Sequence, residues 1–223
     1  MNAQLSPLAE QSKVEAARYA LIRRLGFVFR HQLVGALQPL NMICHLMQRR
    51  LSVTPLDVAS MRDSVNQVTR LVRTSIDASL DVVSWLTPDL HATIGIGEAI
   101  GECLSYLRSS LSFRGFVIRH EESKLTNPVS PIALREVLSA ALLATADHAK
   151  GMNEIVVHVV AESNGVEIAI EIRPGLTASS AEHDAYRLIE WDDVQVLAAS
   201  HGLDFSRLGD GLVKIRIAAS EGQ

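Results

Sequence analysis

The chain has little cysteine, only Cys44 and Cys103 in 223 residues. Two thiols make neither a disulfide framework nor a metal-ligand set, so a cytoplasmic location is expected. Aromatic residues are scarce at 4%, which argues against binding single-stranded nucleic acid by base stacking. No apolar run is long enough to span a membrane. The longest uncharged stretch, 80–97, is interrupted by Asp81 and Asp89 and carries proline and glycine. An apolar secretory segment is also missing, because Glu10, Lys13 and Glu15 stand where it would lie. What is present is apolar: 48% hydrophobic against 21% charged residues excludes a disordered tail and implies one or two compact domains.

The net charge of −4 hides an asymmetry. Residues 1–88 carry ten Lys/Arg and six Asp/Glu, whereas residues 89–223 carry eleven and nineteen. A domain boundary is expected near Pro88, between a basic first part and an acidic second. The arginines of the first part are spread over two predicted helices, so no nucleic-acid partner is expected.

The first part reads as two helices. Ile22, Leu25, Phe29, Leu33, Leu37, Leu40, Cys44, Met47 and Leu51 recur at steps of three and four, the period of a buried helical stripe. Thr54 is the expected N-cap of a second helix, with Pro55 in its first turn. That helix repeats Val58, Met61, Val65, Val68, Val72, Ile76, Leu80 and Val83. Together they predict an antiparallel hairpin. An apolar stripe on each helix leaves too little partner surface within one chain, so a dimeric four-helix bundle is expected. Beyond residue 88 the pattern predicts helices over 97–112, 131–149 and 192–200. A strand is predicted at 116–118, and hairpins over 154–162 with 166–172 and over 203–208 with 212–218. The fold class is α+β, a helical hairpin followed by an α/β sandwich.

His31 lies two residues from both Phe29 and Leu33, about 200° round the helix from a core position, and is predicted to face solvent. Arg24, Gly35 and Gln38 share its outward strip, with Phe27, Val34 and Met42 beside it. Arg23, Arg24 and Arg30 flank it. Pro39 cannot donate to the carbonyl of Gly35, so a bend is expected just past the histidine.

The segment from Phe29 to Asn41 resembles the phospho-acceptor helix of bacterial sensor histidine kinases, through His31, Leu33, Pro39, Leu40 and Asn41. Pro39 follows the histidine by eight residues where the family uses five, and Gln32 replaces the acidic neighbour. The resemblance implies that residues 1–88 form a dimerisation and histidine-phosphotransfer hairpin. Residues 89–223 then form a sandwich of the histidine kinase, gyrase and Hsp90 ATP-binding type.

That second domain lacks the residues the resemblance calls for. Aligned on 134–149, the two asparagines of the family helix, one a Mg²⁺ holder, fall at Ala140 and Ala144. The Asp-x-Gly-x-Gly motif that receives adenine is replaced by Arg173-Pro174-Gly175-Leu176-Thr177. No glycine stands between Leu176 and Asp192 to form a phosphate loop, and Glu182, Asp184, Glu190, Asp192 and Asp193 would repel a triphosphate. ATP binding is expected to be lost, with no cofactor or metal on this chain. Gln32 agrees, since an amide cannot take a proton from the imidazole.

An exposed imidazole on a dimeric bundle remains, which suits phosphoryl exchange with a response-regulator receiver domain bringing its own Mg²⁺. The design resembles the ChpT-type histidine phosphotransferases, which are pseudokinases. That resemblance implies His31 as the phospho-acceptor, with Arg24, Phe27, Arg30, Val34, Gly35, Gln38 and Met42 meeting the partner. The alternative is a non-catalytic module that binds a receiver or kinase. Cys44 and Cys103, each on an apolar stripe, are expected to be packing residues.

Overall fold

A computed structural model describes residues 7–55, 57–87, 89–120, 125–149, 154–175 and 186–218. Two long helices lead the chain, α1 over Pro7–Leu51 and α2 over Val58–Leu86. They are followed by β1 (Ile94–Gly95), α3 (Ile96–Phe113), β2 (Val117–His120), β3 (Pro128–Val129) and α4 (Pro131–Asp147). The chain ends with β4 (Glu154–Glu162), β5 (Gly165–Arg173), α5 (Trp191–Ser200), β6 (Asp204–Leu208) and β7 (Leu212–Ala218). The class is α+β, with the helical hairpin first and the mixed sheet after it. No described helix is long and apolar enough to cross a membrane.

The chain divides into two compact units. One is 26–89; the other joins the residues up to Leu25 with those from Leu90 onward. The opening turns of α1, expected with the hairpin, therefore group with the sheet. Ion pairs explain this: Arg18 Nε donates to Glu136 at 2.9 Å, and Arg24 reaches Asp147 at 2.8 Å, both partners lying on α4. Ala17, Ala20, Leu21 and Leu25 are buried along the same stretch.

Within 26–89, α1 and α2 run antiparallel, and their contacts pair high numbers on one with low numbers on the other. Phe29 meets the Trp85 ring edge-on at 5.9 Å, Ser75 donates to the Ala36 carbonyl at 3.0 Å, and Arg50 donates to the Ser64 hydroxyl at 2.6 Å. Helix α1 continues through Pro39 without ending. The N-cap of α2 is Asp57, whose carboxylate accepts from the Ser60 amide at 3.1 Å. The helix therefore starts after Thr54 and Pro55, not at them. A carboxylate satisfies an orphan amide and also favours the positive end of the helix dipole. Cys44, expected in the core, is exposed, and Ile43 takes the buried place instead.

In the other unit the sheet order is β2-β4-β5-β7-β6, with β2 parallel to β4 and the remaining pairs antiparallel. Strict alternation sorts β5. Val166, Ile168, Ile170 and Ile172 are buried, while Glu167 on the other side receives Lys214 and Arg216 from β7. Helices α3, α4 and α5 form a packed layer, α4 between its two neighbours. Thirteen of the seventeen residues of α4 are buried, so this helix is the centre of the core. Cys103 on α3 is fully buried, and burial pushes its thiol up to about 12, which keeps it inert. The paired two-residue strands β1 and β3 were not predicted.

Candidate functional site

His31 stands exposed on α1 within the 26–89 unit. One turn earlier Phe27 lies nearly parallel to it, with ring centroids 6.5 Å apart and planes at 10°. The Arg30 guanidinium sits 5.5 Å from the centre of the Phe27 ring. Phenyl ring, imidazole and cation thus share one patch of helix surface, and the i,i+3 and i,i+4 spacings place them there. One turn after the histidine, a side chain at Gly35 would meet nothing within 4 Å. The surface beside the imidazole is therefore open.

Phe27, Val34 and Met42 are exposed large apolar groups, Met42 by 71%. Arg30 and Gln38 are exposed as well. The structure brings six of the seven predicted partner-binding residues to one accessible strip with His31. Arg24 does not belong to it. That residue is only 4% exposed and is bound to Asp147, inside the other unit. At position 24 helix α1 has a neighbour of its own, the end of α4 with Asp147. Arg23 is also engaged, its guanidinium 4.2 Å above the Tyr186 ring and 5.9 Å from that of Tyr19.

A ring nitrogen of an exposed imidazole can act as a nucleophile, and flanking apolar side chains offer a surface that a partner could bury. No group of three or more potential metal ligands occurs among the described residues.

The structure also places the residues that stand where the resemblance calls for nucleotide contacts. Ala140 and Ala144 are wholly buried in α4 and present no oxygen. Arg173 is exposed at the end of β5 and pairs with Glu171, on the sheet face opposite Ile170 and Ile172. Glu190 and Asp193 cap α5 reciprocally, and Arg187 forks onto Asp193 at 2.7 and 2.9 Å. Glu182 and Asp184 lie outside the described residues.

Sequence reasoning missed Asp147. Its carboxylate is fully buried and takes Arg24 and Arg114, each at 2.8 Å, together with the Ile189 amide at 3.1 Å. A buried carboxylate with two guanidinium partners is the fixed point where α1, α4 and the segment before α5 meet. The only sequence signal was an acid at the end of a run of alanine and leucine. A cleft of about 330 Å³ was missed too. It lies between the end of α4, the floor of β5 and β7, the first residue of α5 and the β6–β7 turn.

No protein-family model and no curated protein matches the sequence. Among solved structures the chain is similar to the histidine kinase AdeS of Acinetobacter baumannii, at 15% identity and a TM-score of 0.45, over 82% of this chain and 98% of that one. It is also similar to the ATP-binding domain of PrrB from Mycobacterium tuberculosis, at 17% identity and 0.44, over 60% and 100%. A third is the blue-light activated histidine kinase EL346 of Erythrobacter litoralis, at 14% identity and 0.44, over 83% and 64%. These are likenesses of arrangement at low identity, and none transfers a residue role to this chain.

Proposed function

We propose that this chain is a histidine phosphotransferase of a two-component phosphorelay. It accepts and returns a phosphoryl group at His31 in exchange with response-regulator receiver domains. The observation that carries the proposal is the exposed imidazole beside an open glycine surface, flanked by exposed Phe27, Val34 and Met42. A receiver domain would bring the aspartyl phosphate and its Mg²⁺. In the transfer the lone pair of one imidazole nitrogen forms the P–N bond as the P–O bond to the aspartate breaks. The aspartate leaves as a carboxylate, and the proton on the other ring nitrogen passes to solvent. Such a step needs in-line positioning and charge neutralisation more than covalent assistance.

The proposal includes the loss of ATP-dependent autokinase activity. Ala140 and Ala144 hold no oxygen for Mg²⁺, and Arg173 offers donors where an adenine amino group would need an acceptor. Association of two copies through the hairpin belongs to it as well. Leu37, Leu40, Val72, Ile76 and Leu80 line an apolar groove of about 360 Å³ within the hairpin, and Ile76 and Leu80 are 53% and 61% exposed. A patch of that kind on a helical pair is covered by a second copy in a four-helix arrangement.

Incubation with a phosphorylated receiver domain tests the transfer. Acid-labile label is expected on the wild-type chain and none on His31→Ala, whose circular dichroism should be unchanged because the position is exposed. If the wild type binds the receiver yet never acquires label, a non-catalytic binding module is the better account. Titration with a fluorescent ATP analogue tests the second part, and Mg²⁺-dependent micromolar binding would overturn it.

A further inference from the structure

The cleft of the α/β unit has a chemistry of its own. Its floor is Ile170, Ile172 and Val213, all buried. One wall is the Trp191 indole, with the His148 ring stacked at 5.6 Å and the Phe205 ring at 6.3 Å. The Arg207 guanidinium lies 5.2 Å from the indole centre. Protein interiors pack without voids of this size, and a space of about 330 Å³ falls in the range of small-molecule sites.

The polar groups around it are already committed. Arg207 donates to Asp210 at 2.7 Å and to the Gly209 carbonyl at 2.9 Å. His148 stands 3.2 Å from Glu190. The Thr145 hydroxyl donates to the Ala141 carbonyl at 2.7 Å. An anion entering here would lose its hydration, meet an Arg207 guanidinium already paired, and face Asp210. An uncharged ring loses little hydration and gains an apolar floor and an aromatic wall.

We propose that this cleft binds a small, uncharged, planar aromatic or heteroaromatic compound, and that it does not bind a nucleoside phosphate. The site is independent of His31 and of the transfer proposed for it.

The chain has two tryptophans, Trp85 in the hairpin and Trp191 in the cleft wall. Labelling the full-length protein with 5-fluorotryptophan gives one ¹⁹F signal at each position. Titration with quinoxaline is expected to move the Trp191 signal saturably while the Trp85 signal stays in place, and AMP is expected to move neither. Ala149→Phe, at the rim of the cleft, should weaken the quinoxaline response about tenfold, the scale of one misfitting group in an apolar pocket. Three outcomes overturn the proposal: no movement of Trp191 up to the solubility limit, parallel unsaturable movement of both signals, or an AMP response equal to that of quinoxaline. The wild-type titration decides the matter even where the variant folds poorly.

Discussion

The two units of this chain handle apolar residues in opposite ways. In the α/β unit Leu134, Leu138, Leu142, Ile155, Ile168 and Ile170 are all under 2% exposed, so the core is completed within one chain. In the hairpin Leu37, Val65, Val72, Ile76, Leu80 and Val83 are all exposed, while buried places on α2 go to Ser64, Ser75 and Val82. Small residues let α1 and α2 approach closely, and their hydroxyls bond back to carbonyls, Ser64 to Ser60 and Ser75 to Leu71. The large residues are left at the surface. One unit buries its large apolar residues within itself, and the other leaves a stripe of them open.

That contrast yields its largest expected effect in the double substitution Ile76→Glu with Leu80→Glu. The wild type should run in light scattering as two copies of the 24.3 kDa chain. The variant should run as one, with the thermal transition of the α/β unit unmoved. A wild type that is monomeric at high concentration would remove the contrast altogether.

Asp147 tests the opposite property, the self-sufficiency of the α/β unit. Asp147→Asn would leave Arg24 and Arg114 buried beside an amide in place of a carboxylate, at a cost of about 3–5 kcal/mol in urea unfolding. Arg207→Gln, which removes an exposed pair with Asp210, should cost under about 1 kcal/mol. Equal losses in the two variants would show that the carboxylate is not what holds the opening turns of α1 to α4.

The same contrast explains what could be read from sequence. Alternation in β4, β5 and β7 marked strands that were found, because a sheet with one buried face leaves a period of two. Helical periodicity identified the apolar face of α2 but not what covers it. Its apolar sector is wider than its contact with α1. The stripe from Val65 to Val83 was visible, whereas the serine seam facing α1 was not, because polar residues do not mark a core. Arg24 was misplaced for a related reason: the pattern of one helix says nothing of an acid that reaches it from α4. His31 was legible because its position, two residues from buried Phe29, is a purely local matter. The cleft was not legible, since its walls come from segments spread along the chain from Thr145 to Val213.

A smaller effect is expected from pH. Burial raises the Glu136 carboxyl, but hydrogen bonds from His201 and Arg18 outweigh it and hold the group below its ordinary value. A carboxyl depressed in the folded state contributes stability above its unfolded pKa, about 4.3, and loses it as pH falls toward the folded value. Urea midpoints of the wild type should therefore decline below pH about 4.3 more steeply than those of Glu136→Gln. Above that pH the variant should be the less stable of the two. Parallel profiles would show that the link from α1 through Glu136 to His201 contributes nothing to the unit.

Another small effect is expected at the start of α2. Asp57 is exposed and makes one capping bond, to the Ser60 amide. Asp57→Ala should cost about 1 kcal/mol, and Asp57→Ser, which keeps an accepting oxygen, should recover most of it. In a hairpin that is stable alone this loss would appear directly as a lower unfolding midpoint, independent of protein concentration. In a hairpin completed by a second copy, unfolding is coupled to dissociation, and the midpoints of wild type and variant alike should rise with concentration. The cap substitution thus separates two origins of the same stability. A concentration-independent midpoint would mean that α1 and α2 hold together by their serine seam and caps, and the exposed stripe would then need another occupant.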